Sequence, residues 1–191
     1  ERGGRRFARA LDCGAGIGRV SAALLRGCCA HVDLLEFVRK HLAAARARLL
    51  RLRVGECTFG FHCCSAQKFA IAVGSYELVW CQWLLMYLTD GDALDLLRRA
   101  QKGLAQGGVL LLKENISTAE KATYFDDASG ELWMEGISPS APVSCVRTQL
   151  HYEDLIERAG LRIRHEWRQS DAKGSIMDMV LYELVPASRL P

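Results

Sequence analysis

Two periods of apolar spacing divide this chain. Short apolar runs over 7–11, 31–35, 58–64, 76–81 and 109–113 are bounded by glycine or polar residues and predict strands. Their near-continuous apolar character suits a central parallel sheet. Between them, apolar residues recur at helical spacing over 20–25, 38–52 and 93–104. In the 38–52 helix, Leu42, Leu49 and Leu50 are expected to face the core. Its arginines and lysine form a solvated basic face, with a phosphate-binding stripe as the alternative. Thr89-Asp90 offers an N-cap for the 93–104 helix, and Gly107-Gly108 closes that unit. From Ile116 to Ser144 the periodicity is lost, and 116–144 is read as a substrate lid loop, plain disorder being the other reading. A helix over 152–159 stops at Gly160. Strands over 161–169 and 177–184 follow without an intervening helix, so they are expected to pair antiparallel. The whole predicts an α/β fold: a seven-stranded, mostly parallel sheet with helices on both faces and an antiparallel terminal hairpin.

At 191 residues, 50% hydrophobic and 25% charged, the chain suits a single folded domain over 1–191. It begins at Glu1, directly before the first strand, so upstream residues are expected to be missing. A net charge of +3 gives no argument for nucleic acid, and no apolar run reaches membrane-span length. The eight cysteines form no C-x-x-C pair, so no metal site is expected. They read as buried free thiols of an intracellular protein, in cytoplasm or nucleus.

The chemistry concentrates at Leu11-Asp12-Cys13-Gly14-Ala15-Gly16-Ile17-Gly18-Arg19. Three alternate glycines on a strand-to-helix turn let a ligand approach the main chain, and the helix points free N–H groups at it. Arg19 stands where a dinucleotide fingerprint needs glycine, and no phosphate-loop lysine follows. Glu36 lies at the end of the second strand, 24 residues after Asp12, where a carboxylate can accept from ribose hydroxyls. His62, inside the third strand, reads as structural rather than as a ligand.

The pattern D-x-G-x-G-x-G resembles the first motif of Rossmann-like class I methyltransferases that use S-adenosylmethionine. With three further blocks the likeness sharpens. Trp80-Cys81-Gln82-Trp83 with Leu88-Thr89-Asp90, Lys113-Glu114-Asn115, and Cys145-Val146-Arg147 resemble the protein alpha-N-terminal methyltransferases. That family methylates the free amine of proteins beginning X-Pro-Lys after methionine removal. The resemblance runs from about Ala10 to Leu184.

It implies S-adenosyl-L-methionine as cofactor, S-adenosyl-L-homocysteine as product, and protein N-terminal tails as partners of a monomeric enzyme. Gly14 and Arg19 would hold the cofactor's amino acid end, and Glu36 its ribose, with Phe37 and Val38 alongside. Ala66 and Gln67 would border adenine, and Gln82 would reach the methionine part. Trp83 would pack on the substrate's proline, Asn115 would hydrogen-bond near its terminus, and Asp126 and Asp127 would face its amine. The chain departs from the family in four places. Tyr87 stands where the family commonly has a histidine, and a hydrogen-bonding role is expected for it. The family's D-D-x-D run becomes Asp126-Asp127-Ala128-Ser129. The segment before Cys145 is longer, and the family's N-terminal capping helices are expected to be missing from this stretch. Asp126 or Asp127 is the better proton acceptor, unless both are solvated loop carboxylates. A methyltransferase with another acceptor, or a non-catalytic cofactor-binding relative, are the alternative readings.

Overall fold

The computed structural model describes residues 7–52, 57–117, 145–169 and 178–187. Seven strands form one sheet in the order β3-β2-β1-β4-β5-β7-β6. The chain divides into two compact units, residues 1–81 with 102–111, and residues 82–101 with 112–191.

In the first unit β1 (Phe7–Cys13), β2 (Cys29–Leu35), β3 (Thr58–His62) and β4 (Tyr76–Gln82) run parallel. Their centres are the apolar runs of the sequence: Leu11, Leu34, Leu78 and Val79 are all buried. The helix after β1 (α1) covers 19–28 and widens into a π-helical turn over Ser21–Leu25. The β2–β3 crossover helix, α2 (Arg39–Arg51), buries Leu42, Ala45 and Leu49. Leu50 departs from expectation: it is 61% exposed. Positions 42, 45 and 49 follow the helical period, and residue 50 lies about 100° round from 49. The basic side chains do lie on the outer face, with Arg39, Lys40, Arg46, Arg48 and Arg51 all exposed.

β5 (Leu104–Asn115) begins at once after α3 (Asp90–Gly103), so it is longer than the 109–113 run. The glycine pair does not end the helical unit; it lies inside this strand. A Cβ on Gly108 would stand 2.8 Å from the Tyr76 carbonyl oxygen, which explains the missing side chain.

In the second unit α3 starts at Asp90, and the Thr89 hydroxyl accepts from Asp92 N–H at 3.1 Å as the expected cap. α4 (Gln149–Arg158) starts three residues earlier than its apolar pattern, because Thr148 Oγ1 caps His151 N–H. Gly160 ends it with a φ of +74°. β6 (Leu161–Gln169) and β7 (Met179–Pro186) form the expected antiparallel hairpin. No helix of the described residues is long and apolar enough to cross a membrane.

The thiols are less uniform than expected. Cys13, Cys29, Cys81 and Cys145 are buried, Cys28, Cys57 and Cys64 are half-buried, and Cys63 is exposed. Cys63 falls just after β3 ends, where the strand's apolar environment stops.

Candidate functional site

The glycine turn is built by left-handed backbone. Gly14, Gly16 and Gly18 have φ of +69°, +55° and +71°. At Gly18 a Cβ would meet Ala45 Cβ at 3.0 Å, so helix α2 packs directly on the turn. At Gly16 a Cβ would meet nothing within 4 Å. Gly16 is therefore required by its conformation, and the space beside it is open to a ligand.

Glu36 organises this turn. It is 7% exposed, its Oε2 accepts from Gly16 N–H at 3.0 Å, and its Oε1 accepts from Val38 N–H at 2.7 Å. Ala15 N–H donates to the Leu35 carbonyl, and Glu36 N–H to the His62 carbonyl. A carboxylate has about four acceptor sites, so two remain after these bonds. Two acceptors beside an open glycine suit the paired hydroxyls of a ribose. The residues present thus fit an adenosine-type cofactor. Phe37 is 69% exposed, Ala66 is buried, and Gln67 and Arg19 are exposed.

Asp12 sits behind the turn, 2% exposed, and accepts from the Ser21 hydroxyl at 2.7 Å. Burial pushes its carboxyl up to about 6, against the Ser21 hydrogen bonds. An acid raised in the native state ionises first in the unfolded chain, so native stability falls as pH climbs from about 4 to about 6. A shift of roughly two units is worth roughly 3 kcal/mol. Asp12→Asn keeps an acceptor for Ser21 and carries no charge. It is expected to raise the thermal midpoint by about 6 °C at pH 8 and to give no gain at pH 4. Calorimetry at the two pH values checks this; an equal change at both would refute it.

The second unit holds Gln82, Trp83, Tyr87 and Asn115. Trp83 has a φ of +52°, the one left-handed non-glycine among the described residues. Its N–H donates to the Lys113 carbonyl at 2.9 Å, and its indole Nε1 donates to Asn115 Oδ1 at 3.2 Å. Asn115 therefore orients the Trp83 ring, a contact that its sequence position did not suggest. Tyr87 is 49% exposed and ends the 3-10 turn Leu85–Tyr87. Gln82 is the last residue of β4. Asp126 and Asp127, with the rest of 118–144, lie outside the described residues.

Two residues of the quoted motifs had no role in the sequence reading. Glu114 is fully buried, and its Oε1 accepts from Leu84 and Leu85 N–H at 2.9 and 2.8 Å. Burial pushes its carboxyl up to about 7, against those N–H groups and the charge of Arg147. Arg147 is also fully buried. The signal for Glu114 lay in the period: Leu110, Leu112 and Ile116 alternate as buried positions, and the charge stands on the same side of the strand. Asp33 was missed likewise. It is buried mid-strand and binds His62, which has the structural role expected of it.

The sequence profile of AdoMet-dependent proline di-methyltransferases matches residues 1–185. The mouse N-terminal Xaa-Pro-Lys N-methyltransferase 1 is 31% identical over 92% of this chain and 71% of its own length. The alpha N-terminal protein methyltransferase 1 of japonica rice is 34% identical over 95% of this chain. There the match spans only 55% of the relative. In structure, the chain is similar to a SAM-dependent methyltransferase of Leishmania major. That likeness has a TM-score of 0.75 and 29% identity over 95% of this chain and 65% of that one. The seven-stranded sheet is that of the SAM-dependent methyltransferase fold, and this chain belongs to the AdoMet-dependent proline di-methyltransferase family.

Proposed function

We propose that this chain transfers methyl groups from S-adenosylmethionine to the free α-amine of proteins beginning X-Pro-Lys. The observation that carries the acceptor half is Trp83. A half-buried indole, held by Asn115 in a left-handed backbone, is a rigid flat face of the kind that packs on a proline ring. Its counterpart for the cofactor is Glu36 beside the open Gly16.

When bound, the cofactor supplies an electrophilic methyl on a sulfonium. The chain's own residues must then bind, orient and deprotonate the acceptor. The attacking amine has to be neutral, and an α-amine has an ordinary pKa of about 8, so at pH 7 neutrality costs only about 1.4 kcal/mol. Holding the amine in line is worth more, up to roughly 7–11 kcal/mol. Positioning residues therefore matter more here than a strong base. Tyr87 serves as a hydrogen-bonding group, and Asp126 or Asp127 takes the proton. The partners are protein tails, and the enzyme acts as a monomer inside the cell.

Labelled S-adenosylmethionine with an X-Pro-Lys peptide tests this. Label is expected on the free peptide and not on its N-acetylated form. Equal labelling of both, or of neither, refutes it. Exposed Tyr87, where relatives of the N-terminal class commonly carry histidine, favours one second reading: a different acceptor, which a small-molecule screen with the same label would reveal.

A further inference from the structure

The end of β5 grips the chain after β4 residue by residue. Lys113 offers its carbonyl to Trp83 N–H, Glu114 its carboxylate to Leu84 and Leu85 N–H, and Asn115 its amide oxygen to the Trp83 indole. The other polarity of the same loop is satisfied by one side chain. Arg147 donates from Nη1 to the Leu85 carbonyl at 2.7 Å and from Nη2 to the Leu88 carbonyl at 2.7 Å. Its Nε donates to Asp90 Oδ1 at 2.8 Å, and Asp90 Oδ2 meets His151 Nε2 at 2.7 Å. The Arg147 backbone carbonyl accepts from Ser117 N–H, and Cys145 N–H donates to the Met86 carbonyl at 2.7 Å. Residues 117 and 145–147, which flank the 118–144 segment, are thus tied to each other and to the 84–88 loop.

Stability alone does not ask for this arrangement. A buried charged pair is often matched or bettered by apolar side chains of equal volume. Here Glu114 and Arg147 are both fully buried and bond mainly to the backbone of 84–88, directly after Trp83, whose left-handed conformation costs about 1–3 kcal/mol. Such a loop keeps one shape only if its surroundings over-determine it.

We propose that Arg147 and Glu114 are positioning residues for the acceptor. Glu114 acts through the N–H groups and Arg147 through the carbonyls of residues 84–88, and together they set where Trp83 and Tyr87 stand. The proposal rests on the acceptor reading given above, in which Trp83 receives the substrate.

The test uses the full chain with Arg147→Lys, Glu114→Ala and Glu114→Gln. Lysine lacks the planar fork and cannot reach Leu85, Leu88 and Asp90 together. Arg147→Lys and Glu114→Ala are expected to raise the peptide KM about tenfold or more, with kcat changed less, and to leave S-adenosylhomocysteine affinity within about twofold. Amides of residues 84–88 are expected to exchange hydrogen about tenfold faster, while those of β1 keep their rate. Glu114→Gln, which retains the accepting oxygen, is expected to restore both readouts most of the way. Unchanged exchange at 84–88 overturns the proposal. So does a loss of cofactor affinity and of β1 protection in parallel with the loop, because the residues would then only hold the fold. Should the wild type methylate no X-Pro-Lys peptide, the acceptor reading falls, and exchange at 84–88 alone decides whether the pair positions the loop.

Discussion

Glu36→Ala is expected to weaken S-adenosylhomocysteine binding about a hundredfold, or roughly 3 kcal/mol. Hydrogen bonds to a charged group are worth about 1.5–3 kcal/mol each, and a ribose diol offers two. The loss also reaches the turn itself. Gly16 and Val38 N–H groups lose the acceptor that now fixes the loop around it. Both amides lie in half-exposed residues, so water can replace the carboxylate, and the fold should survive with a small loss of midpoint. Glu36→Gln separates the two contributions. The glutamine amide has one accepting oxygen where the carboxylate has two. It can therefore serve one of Gly16 and Val38 but not both, and its affinity should fall between wild type and alanine. Titration calorimetry with the folded variants reads this directly. Affinity unchanged in Glu36→Ala would mean that the ribose is held elsewhere.

What the sequence disclosed here follows from what kind of regularity it carries. The glycine turn was legible because left-handed backbone restricts residue choice so strongly that spacing alone reveals it. The strands were legible because burial on both faces writes an apolar run. Glu36 was legible because it stands at a strand end, a place that chemistry reuses. Asn115 was expected to hydrogen-bond near the substrate's terminus, and nothing in the sequence pointed to its bond with the Trp83 indole. The partners of Arg147 lie 57 to 62 residues away in the chain, and no local pattern encodes such contacts. Leu50 shows the opposite limit. Its apolar identity suggested the core, while its phase on α2 puts it in solvent. Leucine is a strong helix former and costs little outside, so identity without phase misleads.

Asp33 is expected to be the largest single stability contribution among the charged residues of the first unit. Its carboxylate accepts from Arg9 Nε at 2.8 Å and Nη2 at 2.7 Å, from His62 Nε2 at 2.7 Å, and from the Tyr76 hydroxyl at 3.1 Å. His31 Nε2 lies at 3.2 Å and completes the set. A Cβ on Gly60 would clash with Asp33 Oδ1, so the neighbouring strand leaves room for this carboxylate by carrying no side chain. Burial alone would push Asp33 up; the hydrogen bonds from His62, Arg9 and His31 outweigh it and hold the carboxyl down at about 2. Depressed in the native state, the group stabilises the fold above its ordinary value of 3.8, and this stabilisation drains away as pH falls from about 4 to about 2. Asp33→Asn removes the charge and turns an amide donor toward donors. The amide keeps one accepting oxygen and can no longer serve both Arg9 with Tyr76 and the two histidines; Arg9 and the histidines are half-exposed and recover water, whereas Tyr76 is buried. A cost of about 3 kcal/mol follows, below the upper range for breaking a buried pair. In a chain of this length that lowers the thermal midpoint by about 6–12 °C at pH 7. Urea unfolding at pH 5, 4 and 3 should show the gap between wild type and variant narrowing toward the acid end. A gap that stays constant across that range would mean the carboxylate's charge is not what holds β1, β2 and β3 together at this point.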